Sequence, residues 1–497
     1  MQSPKICLSL TCKTLREDVE LIKKYRDYID IAELRVDHLS EEEQLSVRNF
    51  PSMIDVPCIL TIRRTQEGGA FSGNEFSRTT LFARALAFAD TDPSKNFAYV
   101  DFETDFNVPS LLDAASAFGV KIIRSYHKFD GPVENLADEI IKMRQSPNEI
   151  PKIAFMPQKL SDVTNLYREV KKLHDQQYIV CAMGNMGFST RVLAYKTGSF
   201  LTYTSPESTL KNVPGIGHTD PKTLIDLYNF RNLNRETKIF AVTGYPLKVT
   251  SSPKIHNAGY KNHNLNAVFI PLPSTSIEES FDFADEVGLS GMAVTVPYKE
   301  KMLDILDEVD MQVGEIGACN TVFKVDGHWV GRNTDCFGVM CALREFLGEY
   351  KLKRKKVAII GSGGAAKAVC YAVKQMGGKA CIFNRTLDHA KMLADRFGFE
   401  YAPLAESSAA ILDRYSDLII QTTNVGMHST EPSNKENNPI WFYKFRGTEK
   451  LMDIIYDPEE TPVMKKAKDA GCSVCNGFPM LRYQGEKQFK FFTGIDY

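Results

Sequence analysis

Apolar residues over the first 230 positions fall in short runs, bounded by polar turns and separated by amphipathic stretches of helical length. The runs are ICLSL (6–10), DIAELRV (30–36), CILTIR (58–63), AYVDFE (98–103), VKIIRSY (120–126), KIAFM (152–156), YIVCAM (178–183) and SFLTY (199–203). Strand-like runs alternating with helix-length segments mark repeated βα units. Eight of them predict a closed (β/α)8 barrel, with an open doubly wound sheet as the alternative that the even count and size disfavour.

The polar stretch YNFRNLNRETK (228–238) ends this rhythm, and fresh strands are predicted near 239–243, 267–271 and 290–296. TVFKV and HWVGR are joined by Asp326-Gly327, a strong hairpin signal because both turn positions favour a positive φ. A new α/β unit starts at KVAIIGSGGAAKA (356–368) and runs to about residue 475. The predicted organisation is an α/β protein in three parts. A barrel spans 1–235, a second domain spans 236–335 and is rejoined by residues from about 480 to 497, and a dinucleotide-type domain spans 336–479.

Charge and composition then remove several function classes. The formal net charge is only −2, so nothing favours nucleic acid or an anionic membrane as partner. No apolar run approaches the ~20 residues that cross a bilayer, and the opening MQSPKICLSLTCK does not read as a secretory leader. Eleven scattered cysteines do not form a disulfide framework. The lone pair Cys472 and Cys475 lacks the second pair that a zinc site needs, so no metal is expected. Small-molecule chemistry in a reducing compartment follows: the cytoplasm, or the plastid stroma for a mature plant form.

Catalytic groups of a barrel cluster at the C-terminal ends of its strands. Glu33 and Arg35 close the second strand, Arg63 the third, Glu103 the fourth, and Ser125 and His127 the fifth, while Arg191 follows the seventh. Lys152 precedes the apolar run IAFM, where a lysine must be paired, deprotonated or reactive. An unperturbed amine of pKa ~10.4 is only ~0.04% neutral at pH 7. Arg63 and Arg191 beside it are expected to favour the neutral nucleophile, and to bind a substrate carboxylate bidentately. The set reads as imine chemistry on a keto acid, with His127 shuttling the proton and Glu67 orienting it.

ELRVD (33–37), TIRRTQEGG (61–69), SYHKF (125–129), PKIAFMPQ (151–158) and GFSTR (187–191) resemble, in order and spacing, the type I 3-dehydroquinate dehydratases. The resemblance implies imine formation by Lys152, proton abstraction and return by His127, and substrate contacts from Glu33, Arg35, Arg63 and Arg191. The family's last loop, S-A-P-G-Q, is here Asn212-Val213-Pro214-Gly215-Ile216, so the serine and glutamine that touch substrate are replaced.

In the second half, Gly361-Ser362-Gly363-Gly364-Ala365-Ala366 follows an apolar strand and opens a helix-like run, the context in which a G-x-G-x-x-A loop holds a pyrophosphate. The next strand ends in Asn384, Arg385 and Thr386 instead of an acid, and an arginine there suits the 2′-phosphate of NADP. Lys299 and Asp335 each follow a β-like run and could serve as an acid–base pair during hydride transfer.

GYPLKVTSSPKIHN (244–257), VTVPYK (294–299), GACNT (317–321), NTD (333–335), TTNVGM (422–427) and NGFPMLRYQ (476–484) resemble shikimate dehydrogenase. That resemblance implies catalysis by Lys299 and Asp335, with substrate contacts from Thr250, Ser252, Thr295, Asn320, Tyr456 and Gln484. Thr423 joins the cofactor residues. Thr250 stands where serine is usual, Ala293 where asparagine is common, and Cys336 where glycine follows the aspartate. Together the halves imply two consecutive shikimate-pathway steps, 3-dehydroquinate to 3-dehydroshikimate to shikimate. The rivals are a second half that uses quinate or NAD, and a regulatory sensor that kept the fold without the chemistry.

Overall fold

A computed structural model describes residues 3–86, 90, 92–174, 176–212, 217–247, 250–427, 429 and 431–497, apart from the side chains of 211 and 212. The divergent loop Asn212–Ile216 therefore lies outside the described residues, save for the backbone of Asn212. The chain divides into two compact units, one of residues 1–249 and 263–289, the other of 250–262 and 290–497.

In the first unit eight parallel strands form a nearly closed barrel: β1 (Lys5–Leu10), β2 (Ile31–Arg35), β3 (Cys58–Thr61), β4 (Tyr99–Glu103), β5 (Lys121–Lys128), β6 (Glu149–Phe155), β7 (Ile179–Ala182) and β8 (Leu201–Thr204). Their order is β7-β6-β5-β4-β3-β2-β1-β8, and the Phe200 N–H donates to the Tyr178 carbonyl (2.7 Å) across the join. All eight predicted strands are present. The period-two alternation of strands decides what the barrel interior holds. Cys7, Ile31, Ile59, Ile123, Ile150, Ile179 and Leu201 form one apolar cluster. Two residues further along the same faces stand Glu33, Thr61, Ser125, Lys152 and Tyr203, so a polar layer caps an apolar one. β6 begins at Glu149, three residues before the predicted start, and Lys152 sits in mid-strand and buried.

The same unit carries β9 (Lys238–Gly244) and β10 (Ala267–Pro273), which run parallel, and the helix Ile277–Val287. That helix lies against the barrel helix Leu160–Val170: Arg168 pairs with Asp282 and Glu286, and Tyr167 meets Phe283 edge-on at 5.6 Å.

In the second unit β11 (Leu289–Val294) pairs antiparallel with β13 (Thr321–Val325), and β12 (Glu308–Val309) lies beside β14 (His328–Arg332). β13 and β14 are the predicted hairpin, with Asp326 and Gly327 at φ 50° and 86°. The remaining strands are β15 (Lys356–Ile360), β16 (Lys379–Asn384), β17 (Glu400–Pro403), β18 (Leu418–Gln421), β19 (Lys450–Asp453) and β20 (Ser473–Cys475). They are all parallel in the order β17-β16-β15-β18-β19-β20, a doubly wound sheet whose order reverses between β15 and β18. Ligands of such sheets bind at the strand ends beside that reversal.

Candidate active sites

The polar layer of the barrel opens into a cavity of about 540 Å³ whose walls include Glu33, Arg35, Arg63, Glu67, His127, Lys152 and Arg191. Of the residues singled out in the first half, all but Glu103 and Ser125 thus face one space, and those two accept from Arg63. Glu33 is buried and accepts from Ser9 Oγ (2.7 Å) and Thr61 Oγ1 (3.0 Å). Arg35 is gripped by Asp37 through Nε (3.0 Å) and Nη2 (2.7 Å). Asp37 also accepts from the Ala70 N–H (2.9 Å), which ties Arg35 to the loop that carries Glu67. Arg191 is buried within the wall.

His127 is held at two points by one oxygen of Glu67, which lies 3.0 Å from Nδ1 and accepts from the His127 backbone N–H at 3.0 Å. The Glu67 interaction fixes the ring and leaves Nε2 for the cavity. Burial first, then the charges of Arg63 and Lys152, push the imidazole well below its usual value, so His127 is neutral and can act as a base. Glu67 is raised, chiefly by burial.

Lys152 differs from the sequence expectation in its surroundings. Its Nζ lies 3.0 Å from Asp101 and 4.4 Å from the centroid of the Tyr203 ring. Arg63, expected to press on the lysine as a bare cation, is committed elsewhere: Nη2 meets Asp101 at 2.8 Å, and Nη1 meets Ser125 Oγ at 2.7 Å and Glu103 at 3.4 Å. Asp101 also accepts from Ser125 Oγ (2.6 Å). Burial alone would raise this carboxyl, but Arg63, then Lys152, and the Ser125 hydroxyl hold it well below the usual carboxylate range. The Lys152 amine therefore rests on a buried carboxylate within an alternating charge network. Asp101, Asp37 and Tyr203 are residues that sequence reasoning missed. The signal for Asp101 was present, because in YVDFE it shares the face of Glu103, two residues away.

In the second unit Lys299 Nζ and Asp335 Oδ2 are 2.5 Å apart. Asp335 opens the helix Asp335–Leu347, where the helix dipole favours an anion, and its other oxygen accepts from Asn320 Nδ2 (2.9 Å). Asn320 is buried and reaches Gln484 Oε1 at 3.3 Å, and Thr334 Oγ1 reaches the same oxygen at 3.2 Å. Gln488 braces this cluster from the helix Phe478–Thr493 through the Asn320 carbonyl (3.1 Å) and Thr321 (2.9 Å). Thr250 and Ser252 meet at 3.2 Å, and a hydrogen bond joins the half-buried Tyr456 side chain to Thr250. Thr295 follows β11 and accepts the Tyr298 N–H through its carbonyl (2.9 Å). The predicted residues form two groups in this unit, Lys299–Asp335–Asn320–Gln484 and Thr250–Ser252–Tyr456, with Thr295 beside the lysine in sequence.

The Gly-rich loop sits at the β15–β18 reversal. Gly361 has φ 109°, and a Cβ there would stand 2.6 Å from Thr422 Oγ1 and 2.9 Å from Thr423 Cγ2. Only glycine suits that turn. A Cβ on Gly363, which caps the helix Gly364–Gln375, would meet nothing within 4 Å, leaving open the approach to the first N–H groups. Gly364 lies against the Lys299 side chain, at 3.4 Å from an added Cβ. Asn384 donates to the Thr386 carbonyl (2.9 Å), and Arg385 is exposed at the end of β16. This cradle fits a dinucleotide phosphate, and Arg385 fits a further phosphate on the ribose.

A barrel that gathers a buried lysine and a neutral histidine around an arginine-lined cavity fits the class of imine-forming lyases. A Lys–Asp pair beside a doubly wound nucleotide cradle belongs to the class of dinucleotide-dependent oxidoreductases. Comparison with known proteins agrees with both. The model of type I 3-dehydroquinase matches residues 6–235, that of the shikimate dehydrogenase substrate-binding domain matches 242–322, and that of shikimate/quinate 5-dehydrogenase matches 342–437. The chloroplastic bifunctional 3-dehydroquinate dehydratase/shikimate dehydrogenase of Arabidopsis thaliana is 28% identical over 98% of this chain and 82% of its own. Shikimate dehydrogenase (NADP(+)) of Carboxydothermus hydrogenoformans is 35% identical over 53% of this chain and 94% of its own. A crystal structure of shikimate dehydrogenase from Aquifex aeolicus is 33% identical, overlaps 53% of this chain and 96% of that one, and gives a TM-score of 0.49. The chain belongs, by its two halves, to the type I 3-dehydroquinases and the shikimate dehydrogenases.

Proposed function

We propose that this chain catalyses two consecutive shikimate-pathway reactions, dehydration of 3-dehydroquinate to 3-dehydroshikimate and NADPH-dependent reduction of that product to shikimate. The observation that carries the reading is the presence, in one chain, of Lys152 and a Glu67-held His127 on one cavity and of Lys299 paired to Asp335 beside a nucleotide cradle. No helix among the described residues is long and apolar enough to cross a membrane.

In the barrel, Arg191, Arg35 and Arg63 draw in the substrate carboxylate. Lys152 attacks the ring ketone, and loss of water gives the imine. The imine is an electron sink, so neutral His127 can take the adjacent ring proton and then return a proton to the departing hydroxyl. Water releases the product and frees Lys152. Asp101, an ionised carboxylate, steadies the lysine in the resting enzyme.

In the dehydrogenase half, NADPH supplies the hydride when bound. Residues Gly361 to Ala365, with Thr423, hold its phosphates, and Asn384, Arg385 and Thr386 receive the ribose end with its 2′-phosphate. Lys299 protonates the substrate oxygen as the ketone becomes an alcohol, and Asp335 supports that charge. Thr250, Ser252, Thr295, Asn320, Tyr456 and Gln484 orient the ring hydroxyls and carboxylate. The proposed parts are the barrel (1–235), the substrate domain (236–335 with 480–497) and the NADP domain (336–479).

The test is one cuvette of purified protein with 3-dehydroquinate and NADPH, read by the loss of reduced-nicotinamide absorbance. Steady oxidation is expected. Oxidation with 3-dehydroshikimate alone would confine activity to the second half, and silence with both would overturn the proposal.

A further inference from the structure

The family's last barrel loop carries a serine and a glutamine that touch substrate, and here those positions are Asn212 and Ile216. The same stretch brings a different pair to the cavity. Ser205 leaves the end of β8, His218 follows the loop, and both line the 540 Å³ space with Arg35, Lys152 and Arg191. The Ser205 hydroxyl lies 2.6 Å from His218 Nδ1, and the Ser205 N–H donates to the Thr219 carbonyl at 3.2 Å. Gly217 fixes the approach, since it has φ 68° and a Cβ there would stand 2.1 Å from the Gly184 carbonyl oxygen. A side chain at 217 would push the strand–loop return away from the wall and take His218 with it.

From this geometry we infer that His218, clamped by Ser205 through Nδ1, uses Nε2 to hydrogen-bond an oxygen at the carboxylate end of the bound cyclic hydroxy acid, beside Arg191. Among the described residues no hydrogen bond reaches that Nε2. The ring is neutral in place: burial first, then Arg191, Arg35 and Lys152, hold it well below its usual value. A neutral imidazole adds a directional hydrogen bond without a further positive charge to desolvate. The pair is thus a specificity element of this chain, supplying from residues 205 and 218 what its relatives take from the replaced serine and glutamine. The inference rests on the dehydratase reading above.

The test compares full-length His218→Phe and His218→Gln with the parent enzyme. Phenylalanine keeps the ring volume and removes both nitrogens, whereas glutamine keeps a donor and an acceptor. A net hydrogen bond lost on binding corresponds to about tenfold, so His218→Phe is expected to raise the KM for 3-dehydroquinate by about that factor. Its kcat should stay within about threefold, and borohydride should still trap Lys152 as a reduced imine. His218→Gln should recover most of the KM, and dehydrogenase turnover of 3-dehydroshikimate reports an intact chain throughout. A parental KM in His218→Phe would overturn the inference. So would equal damage in both variants, which would make the ring a packing element. A parent enzyme without dehydratase activity would instead overturn the function proposed above.

Discussion

Replacing Asp101 by asparagine removes one charge from the most crowded part of the barrel while keeping the shape of the side chain. Asp101 is buried, with Arg63 at 2.8 Å, Lys152 at 3.0 Å and Ser125 Oγ at 2.6 Å. At an effective dielectric of about 20, a charge pair 3 Å apart is worth about 5 kcal/mol before desolvation is subtracted. Removing one partner of a buried pair costs about 3–5 kcal/mol, because the remaining charge stays buried without its counterion. Asparagine can still accept from Ser125, and Glu103 still faces Arg63, so the lower end, about 3 kcal/mol, is expected at pH 7. For a unit of this size that is a fall of about 6–12 °C in the melting temperature of the barrel.

The sign with pH follows from the carboxyl being held well below its usual range in the folded chain. Its contribution is present above the ordinary aspartate value near ~4 and is lost as pH falls through the folded value. The deficit of Asp101→Asn should therefore shrink below about pH 4. The decisive assay is a double-mutant cycle with Lys152→Met, followed by thermal or urea unfolding. If the lysine is the stranded charge, removing it makes the second substitution cheaper, with a coupling of about 1–3 kcal/mol. Additivity within about 0.5 kcal/mol would refute the pairing as the source of stability.

Lys152→Met should abolish dehydratase turnover and borohydride trapping and leave the dehydrogenase intact, whereas Lys299→Met should lower shikimate dehydrogenation by about 10²–10⁴-fold, the scale of general acid–base catalysis, and leave the dehydratase intact. Separate assays with 3-dehydroquinate and shikimate read both. Arg385→Ala should weaken NADPH by about 10–100-fold, the worth of a charged phosphate contact, with NADH little changed, as measured by KM for each cofactor. Because His127 is neutral well below its ordinary pKa, dehydratase kcat/KM should show no acid limb centred near 6.5, the free-histidine value. A limb there that moves in Glu67→Gln would show the imidazole to be charged in the resting enzyme.

Strand periodicity made the barrel and the inward faces of Lys152, His127 and Arg63 legible, because polar residues on otherwise apolar strands have to be used. Partnership was not legible in the same way. Asp101 and Lys152 are 51 positions apart in sequence and meet only because β4, β5 and β6 stand side by side in register, Asp101 opposite Ile123 and Ser125 opposite Lys152. Without that register Arg63 looked like a free cation, and the electrostatics of the lysine were drawn with arginines alone. The dehydrogenase half shows the same limit. The pairing of Lys299 with Asp335 could be anticipated from their motifs, but the bracing of Asn320 by Gln488, 168 positions away, depends on where the C-terminal helix returns. His218 lay unread for a further reason. The loop before it departs from its relatives, so motif matching pointed to two missing groups, and the replacement came from residues on either side of the gap. What a divergent loop loses has to be sought around the cavity wall, since a substrate oxygen requires a partner in space and is indifferent to which strand end supplies it.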